Sequence, residues 1–87
     1  MKAYIVYSYD GAEDIAIVHC AKATFESAKM ACGKIYHDFL NEQRELNPHF
    51  LTMNGTHIDF DGDYGHGVIE SDDWYWVIDI AEKEVEV

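Results

Sequence analysis

Two segments at the start of the chain have the residue pattern of β-strands. Residues 2–9 (KAYIVYSY) and 15–21 (IAIVHCA) are rich in β-branched and aromatic residues, with apolar side chains on both faces of each predicted strand. The segment between them contains Asp10-Gly11, a pair typical of tight hairpin turns. The pattern therefore predicts an antiparallel pair of strands.

A helical repeat follows these strands. After Thr24, apolar residues recur at helical spacing, and most charged residues of the segment lie away from that stripe. Thr24 itself suits the N-cap position, where its hydroxyl can accept a backbone N–H. The pattern predicts one amphipathic helix over residues 25–46, which ends before Asn47-Pro48 because a proline disfavours the helical conformation in the residue before it.

The next segment carries turn signals. Asn54-Gly55 is a turn pair, so residues 50–53 and 56–60 are predicted to form the two arms of a short hairpin. Residues 59–73 (DFDGDYGHGVIESDD) contain several Asp and Gly residues and are predicted to be an irregular stretch.

The last predicted strand runs from Trp74 to Ala81, where aromatic and β-branched residues dominate. The tail 82–87 (EKEVEV) places its glutamates in phase with the buried residues of that strand. This mismatch predicts a bulge, an edge position or the end of the core beyond Ala81.

These elements predict an α+β fold: an antiparallel β-sheet with one long amphipathic helix packed on one face, in the order β-β-α-β-β. A chain of 87 residues is expected to form a single domain, 1–87. Cys20 and Cys32 do not make a disulfide framework, and the sequence shows neither a signal peptide nor an apolar stretch of membrane-spanning length. We therefore expect a cytoplasmic protein with reduced thiols and no membrane contact.

The chain is strongly acidic, with 17 Asp and Glu against 6 Lys and Arg and a formal net charge of −11. Such a charge repels nucleic acids directly and attracts basic surfaces. From Asp59 onward, the only basic residue is Lys83, so this stretch is the candidate working surface. Aromatic anchors within a charged rim are typical of protein interfaces. The candidate partner-binding residues are Asp59, Asp61, Asp63, Tyr64, Glu70, Asp72, Asp73, Tyr75, Glu82, Glu84 and Glu86.

Two interpretations of this acidic surface are open. Alternate residues of a strand repeat at roughly 6–7 Å, and phosphates along one nucleic-acid strand repeat on a similar scale. The surface could thus occupy a basic nucleic-acid-binding groove of another protein. Alternatively, its acidity serves only solubility.

A calcium loop is a rival interpretation of part of the stretch. Asp59, Asp61 and Asp63, with Glu70 at the twelfth position, match the ligand spacing of an EF-hand. The match fails at the sixth position, which is Tyr64 instead of glycine, and the preceding segment cannot be a helix. A calcium-binding module that uses the Asp59–Glu70 loop is therefore kept as an alternative, and no metal or other cofactor is assigned.

Nothing in the sequence favours catalysis. There is no Cys-x-x-Cys pair and no pair of histidines at metal-binding spacing. His19 and Cys20 are neighbours in a predicted strand and so point to opposite faces. Cys20 and Cys32 fall at positions expected to be buried, where a thiol packs as a small apolar group. We therefore expect a protein that is not an enzyme.

The opening MKAYIVYSYDG, the helix entry TFESAKMA and the closing YWVIDIAEKEVEV resemble small acidic anti-defence proteins of phages and mobile elements, of the anti-CRISPR or anti-restriction type. The resemblance implies a stoichiometric inhibitor without a cofactor. It implies a host protein as partner, blocked at a basic surface that binds nucleic acid. Neither the oligomeric state nor the identity of the target follows from it.

Overall fold

A computed structural model describes residues 1–49, 56–71 and 74–85 of the chain. Within these ranges the chain forms one helix and five strands. The elements, in chain order, are β1 (Lys2–Asp10), β2 (Ile15–Lys22), α1 (Phe25–Leu46), β3 (His57–Asp61), β4 (His66–Glu70) and β5 (Tyr75–Glu84).

The strands form one antiparallel sheet in the order β2-β1-β5-β4-β3. The first strand therefore lies beside the last, and β1 pairs with β5 along its whole length, from Lys2 opposite Glu84 to Asp10 opposite Trp76. The predicted α+β class with an antiparallel sheet and one helix is confirmed. The sheet has one strand more than the predicted β-β-α-β-β order.

The additional strand comes from residues 59–73, and the prediction that this stretch is irregular was wrong. β3 and β4 pair in register, with Asp61 opposite His66 and His57 opposite Glu70. Gly65 closes the turn between them with a φ of 65°, a conformation that glycine adopts without strain. The predicted arm over residues 50–53 lies outside the described residues.

β5 also extends further than predicted. It continues past Ala81 to Glu84 in unbroken register with β1, so it contains no bulge on that side. β4 pairs with it only from Tyr75 to Ile78, which leaves the last part of β5 with β1 as its described neighbour. The glutamates of this end are exposed, so the phase mismatch in the sequence marks the end of the core.

The helix has the predicted bounds. The Thr24 hydroxyl accepts the backbone N–H of Ser27 at 3.1 Å, as an N-cap does. The apolar stripe of the helix packs on one face of the sheet. The buried core consists of Val6, Ala28, Cys32, Tyr36, Leu40, Ile69, Trp76 and Ile78.

Aromatic side chains fill the layer between helix and sheet. The Tyr36 ring stacks on Phe60 with 4.8 Å between ring centroids, and Phe39 stacks on Trp76 at 4.0 Å. Large rings bury much apolar area per residue, so a small core can be built from few of them. Within the described ranges, no helix has the length and apolar character needed to cross a membrane.

Candidate partner-binding surface

One face of the sheet lies opposite the helix. Residues that pair across antiparallel strands share a face, so the register places Tyr7 with Val18, Tyr9 with Val77, and Val77 with Val68, on the side away from the core. We call this side the open face. Within the described ranges no helix or strand packs on it, and Val18 is 69% exposed.

Carboxylates border the open face along the β3 edge. Asp59 pairs with Val68 and Asp61 with His66, so both aspartates lie on the open face. Asp63 lies in the turn, where its N–H donates to the Asp61 carboxylate at 3.0 Å. We call β3, β4 and their turn the acidic hairpin, with carboxylates Asp59, Asp61, Asp63 and Glu70.

Within the described part of the chain, the carboxylates of the acidic hairpin have no cation beside them. Among the described residues, no Lys, Arg or His lies within ion-pair distance of any of the four. On the same face, His66 Nδ1 lies 3.3 Å from a carboxylate oxygen of Asp79, beside the turn. The hairpin therefore presents its charge to solvent or to a partner.

Glu82 and Glu84 lie on the other face of the sheet from the acidic hairpin, and each pairs with a positive group. They lie opposite Tyr4 and Lys2 of β1, on the same face as the helix. Glu82 pairs with the Lys2 ammonium at 3.2 Å, and Glu84 pairs with the amino terminus of Met1, also at 3.2 Å. Their charge is partly neutralised within the molecule, unlike that of the acidic hairpin.

The candidate aromatic residues are both exposed. Tyr64 projects from the hairpin turn and is 72% exposed. Tyr75 lies on the open face at 42% exposure, with its ring centroid 5.8 Å from that of Tyr9.

The hydroxyl of the neighbouring Tyr9 donates a hydrogen bond to the Asp14 carboxylate. This hydrogen bond raises the pKa of Tyr9, so the phenol stays neutral.

Part of the predicted set lies outside the described residues, namely Asp72, Asp73 and Glu86. The rest falls into two groups. Asp59, Asp61, Asp63, Tyr64, Glu70 and Tyr75 lie on or beside the open face, whereas Glu82 and Glu84 lie on the helix side.

The hairpin separates the carboxylates that the calcium alternative needs together. Glu70 pairs with His57 at the far end of β4, whereas Asp63 lies in the turn. Glu70 lies four residues along the strand from His66, a distance of roughly 13 Å. In the described part of the chain, no three potential ligands are close enough to hold one metal ion.

The structure brings Ser8 and His19 into contact, which the sequence did not reveal. Ser8 Oγ lies 2.8 Å from His19 Nε2. The register of β2 against β1 shifts at this point, so Ile17 lies opposite Ser8 and Cys20 lies opposite Val6, both on the core face. His19 reaches Ser8 on that face, so the prediction that His19 and Cys20 point to opposite faces was wrong. Ser8 is 2% exposed, so its hydroxyl is inaccessible to a substrate. Partial burial lowers the pKa of His19, which favours the neutral imidazole.

Both thiols are free within the fold. Cys32 is buried, and its thiol donates to the Gly65 carbonyl at 3.1 Å, which ties the helix to the hairpin turn. Burial raises the pKa of Cys32 to about 11, so it is not the thiolate that a nucleophile requires. Cys32 therefore acts as a packing residue.

No family model, curated protein or solved structure matches this chain. The resemblance to anti-defence proteins therefore remains a hypothesis that rests on the sequence segments alone.

Proposed function

We propose that this protein is a non-enzymatic acidic binding protein that occupies a basic, nucleic-acid-binding surface of another protein by charge mimicry. The acidic hairpin carries the proposal. Asp59 and Asp61 lie on the end strand β3, Asp63 lies in the turn and Glu70 lies on β4, and none of these four carboxylates has a cation within ion-pair distance among the described residues. A basic partner can engage them without breaking internal ion pairs.

The geometry of β3 favours a partner that normally binds phosphates. Asp59 and Asp61 are alternate residues of one strand and share the open face. Their backbone positions repeat at roughly 6–7 Å, which is similar in scale to the phosphate repeat of one nucleic-acid strand. A row of cations arranged for phosphates can therefore meet this row of carboxylates.

The open face offers a partner protein an apolar contact area in addition to the charges of the acidic hairpin. Tyr75 and Val18 are exposed, and Val77 of β5 and Val68 of β4 lie between Val18 and the acidic edge. Interfaces combine a desolvated apolar centre with a polar rim, and aromatic residues are common at the centre. We therefore place the contact on the open face together with the acidic hairpin.

The resemblance to anti-defence proteins extends this proposal. It implies that the partner is a host protein and that the effect is stoichiometric inhibition without a cofactor. Glu82 and Glu84 then have a secondary role, because Lys2 and the amino terminus already neutralise part of their charge.

Two triple variants test the proposal. The first neutralises the hairpin by Asp59→Asn, Asp61→Asn and Glu70→Gln. The second changes the net charge equally on the exposed part of the helix by Glu26→Gln, Asp38→Asn and Glu42→Gln. Wild type and both variants are immobilised, and proteins captured from a lysate of the native host are quantified by mass spectrometry. Each captured protein is then titrated at several salt concentrations, with a DNA or RNA duplex as competitor.

We expect one nucleic-acid-binding protein to be retained by wild type and by the helix variant and lost from the hairpin variant. The complex should weaken as salt rises, because ion-pairing surfaces are screened, and nucleic acid should displace it. Equal loss from both variants would indicate a non-specific effect of net charge. Retention by the hairpin variant, or binding that nucleic acid does not compete for, would refute the proposal.

A further inference from the structure

A cavity lies beside the N-terminal end of the helix, on the helix side of the sheet. Its lining consists of Tyr4 from β1, Phe25 from the first turn of α1, and Ile80 and Glu82 from β5. β4 does not reach this part of β5, so the cavity lies beyond the end of that strand. Its volume is about 280 Å³, near the lower end of the roughly 300–1,000 Å³ usual for ligand pockets, so it suits a small chemical group.

Two aromatic rings form one corner of the cavity. The rings of Tyr4 and Phe25 meet edge to face, with 5.8 Å between their centroids and 61° between their planes. Ile80, which packs against the core, adds apolar surface beside them. The face of an aromatic ring is both apolar and electrically negative. The corner therefore favours an organic cation that is weakly hydrated.

Glu82 is the charged member of the lining, and one of its oxygens is already bonded. The Tyr4 hydroxyl donates to Glu82 Oε1 at 3.3 Å, and the Lys2 ammonium lies 3.2 Å from the same oxygen. Among the described residues, neither a hydrogen bond nor an ion pair involves Oε2 of this carboxylate. Tyr4 thus holds the carboxylate beside the rings, and Oε2 is left as an acceptor.

Two lysines of the chain already contact the walls of the cavity as cations. The Lys29 ammonium lies 5.3 Å from the Phe25 ring centroid and pairs with Glu26 at 3.0 Å. Lys2 pairs with Glu82, and both side chains of this pair are more than half exposed. Exposed ion pairs contribute little to stability, so a cation that fits the rings and the carboxylate together can displace Lys2.

We propose that this cavity binds the guanidinium group of an arginine side chain from a partner protein. A guanidinium is planar and weakly hydrated, so it can stack on a ring while its N–H groups donate to a carboxylate. A lysine ammonium is compact and strongly hydrated and gains less from the rings. Because the lining holds a single charged group, Glu82, it fits a side chain within a polypeptide better than free arginine, which adds an amino and a carboxylate charge.

Titration followed by NMR tests the ligand class. The probe is N-acetyl-L-arginine methylamide, beside the matching lysine and citrulline derivatives and free arginine, all at constant ionic strength. Citrulline has nearly the shape of arginine but no charge. We expect the arginine derivative to cause saturable shifts at the lining residues, with a dissociation constant on the order of millimolar. The lysine derivative and free arginine should bind more weakly, and citrulline should not saturate. Equal binding of the citrulline derivative, or tighter binding of the lysine derivative or of free arginine, would overturn the proposal.

Three single variants test the site. Glu82→Gln and Glu84→Gln each remove one carboxylate that pairs with a cation on the same face of β5, but Glu84 does not line the cavity. We expect the dissociation constant of the arginine derivative to rise about two- to fivefold for Glu82→Gln and to stay unchanged for Glu84→Gln. Lys2→Gln removes the competing cation and should lower it.

Equal effects of the two glutamate substitutions, or weaker binding by Lys2→Gln, would reject this site. The site is additional to the proposed function, because the cavity lies on the helix side of the sheet, away from the open face. All three variants leave the acidic hairpin unchanged. Failure of arginine binding is therefore distinguishable from failure of the acidic hairpin to bind a basic partner.

Discussion

At the scale of single residues, Gly67 shows how closely the helix approaches the sheet. A Cβ at this position of β4 would lie 2.6 Å from Tyr36 Cδ2 and 2.9 Å from Phe60 Cδ2. The stacked pair of rings thus occupies the space that any larger residue would need. Gly33, in the helix, differs, because a Cβ there would meet Phe60 at an ordinary 3.6 Å.

We predict opposite effects for the two alanine substitutions. Gly67→Ala should lower the free energy of unfolding by about 1–3 kcal/mol, because the core must shift to admit the methyl group. Gly33→Ala should raise it by up to about 1 kcal/mol, because alanine favours the helix and fits the space. Urea unfolding followed by circular dichroism measures both. A destabilised Gly33→Ala with an unaffected Gly67→Ala would contradict this packing.

The sequence identified many of the residues that matter but not their contacts. Thr24 was predicted as the N-cap and Cys32 as a buried thiol, since each follows from helical spacing alone. The Ser8–His19 pair was missed, because the register of β2 against β1 leaves no mark in the residue pattern. The sequence likewise gave no sign that Gly67 is needed, because its role depends on the Tyr36 and Phe60 rings that pack against it.

At the scale of elements, the helix follows directly from the sequence. Its apolar repeat, its N-cap and the proline that follows it are all local signals, and its bounds agree with the prediction. The acidic hairpin cannot be predicted from local sequence signals in the same way. Its strands are short, and β3 is exposed along most of its length, so the pattern of apolar and polar residues that marks a half-buried strand is weak there.

We predict that the N-cap contributes measurably to stability. Thr24→Ala removes the hydroxyl that accepts the Ser27 N–H and should lower the free energy of unfolding by about 1 kcal/mol. Thr24→Ser keeps an acceptor and should retain most of that stability. Chemical unfolding of the two variants beside wild type makes the comparison. Equal losses for Ala and Ser would show that the methyl group, and not the hydrogen bond, is responsible.

At the scale of the whole molecule, net charge opposes folding. The chain carries a net charge of −11, and its ion pairs are mostly between exposed groups. Exposed ion pairs contribute little each, whereas like charges on a compact surface repel one another. The acidic hairpin adds to this repulsion, so its charge is a cost to the isolated protein that binding to a basic partner would relieve.

We predict that moderate salt stabilises the isolated protein. Raising NaCl from about 10 mM to about 150 mM shortens the Debye length from about 30 Å to about 8 Å, so the melting temperature should rise. The rise should be smaller for the variant Asp59→Asn, Asp61→Asn, Glu70→Gln, which carries fewer of the repelling charges. Thermal unfolding at low protein concentration measures both effects. A melting temperature that falls with salt would show that attractive ion pairs dominate instead.

The sequence alone determined the class of the fold, the helix with its ends, and the excess of acidic residues after Asp59. These depend on local spacing and on composition, which need no knowledge of distant contacts. Only the tertiary structure decided which carboxylates lie together and which lie beside a positive charge. The pairing of β5 with β1 places Glu82 and Glu84 beside Lys2 and the amino terminus, and the β3–β4 pairing puts Asp59 and Asp61 on the end strand of the described sheet. That division arises from pairing between residues far apart in the chain, and no local pattern encodes it.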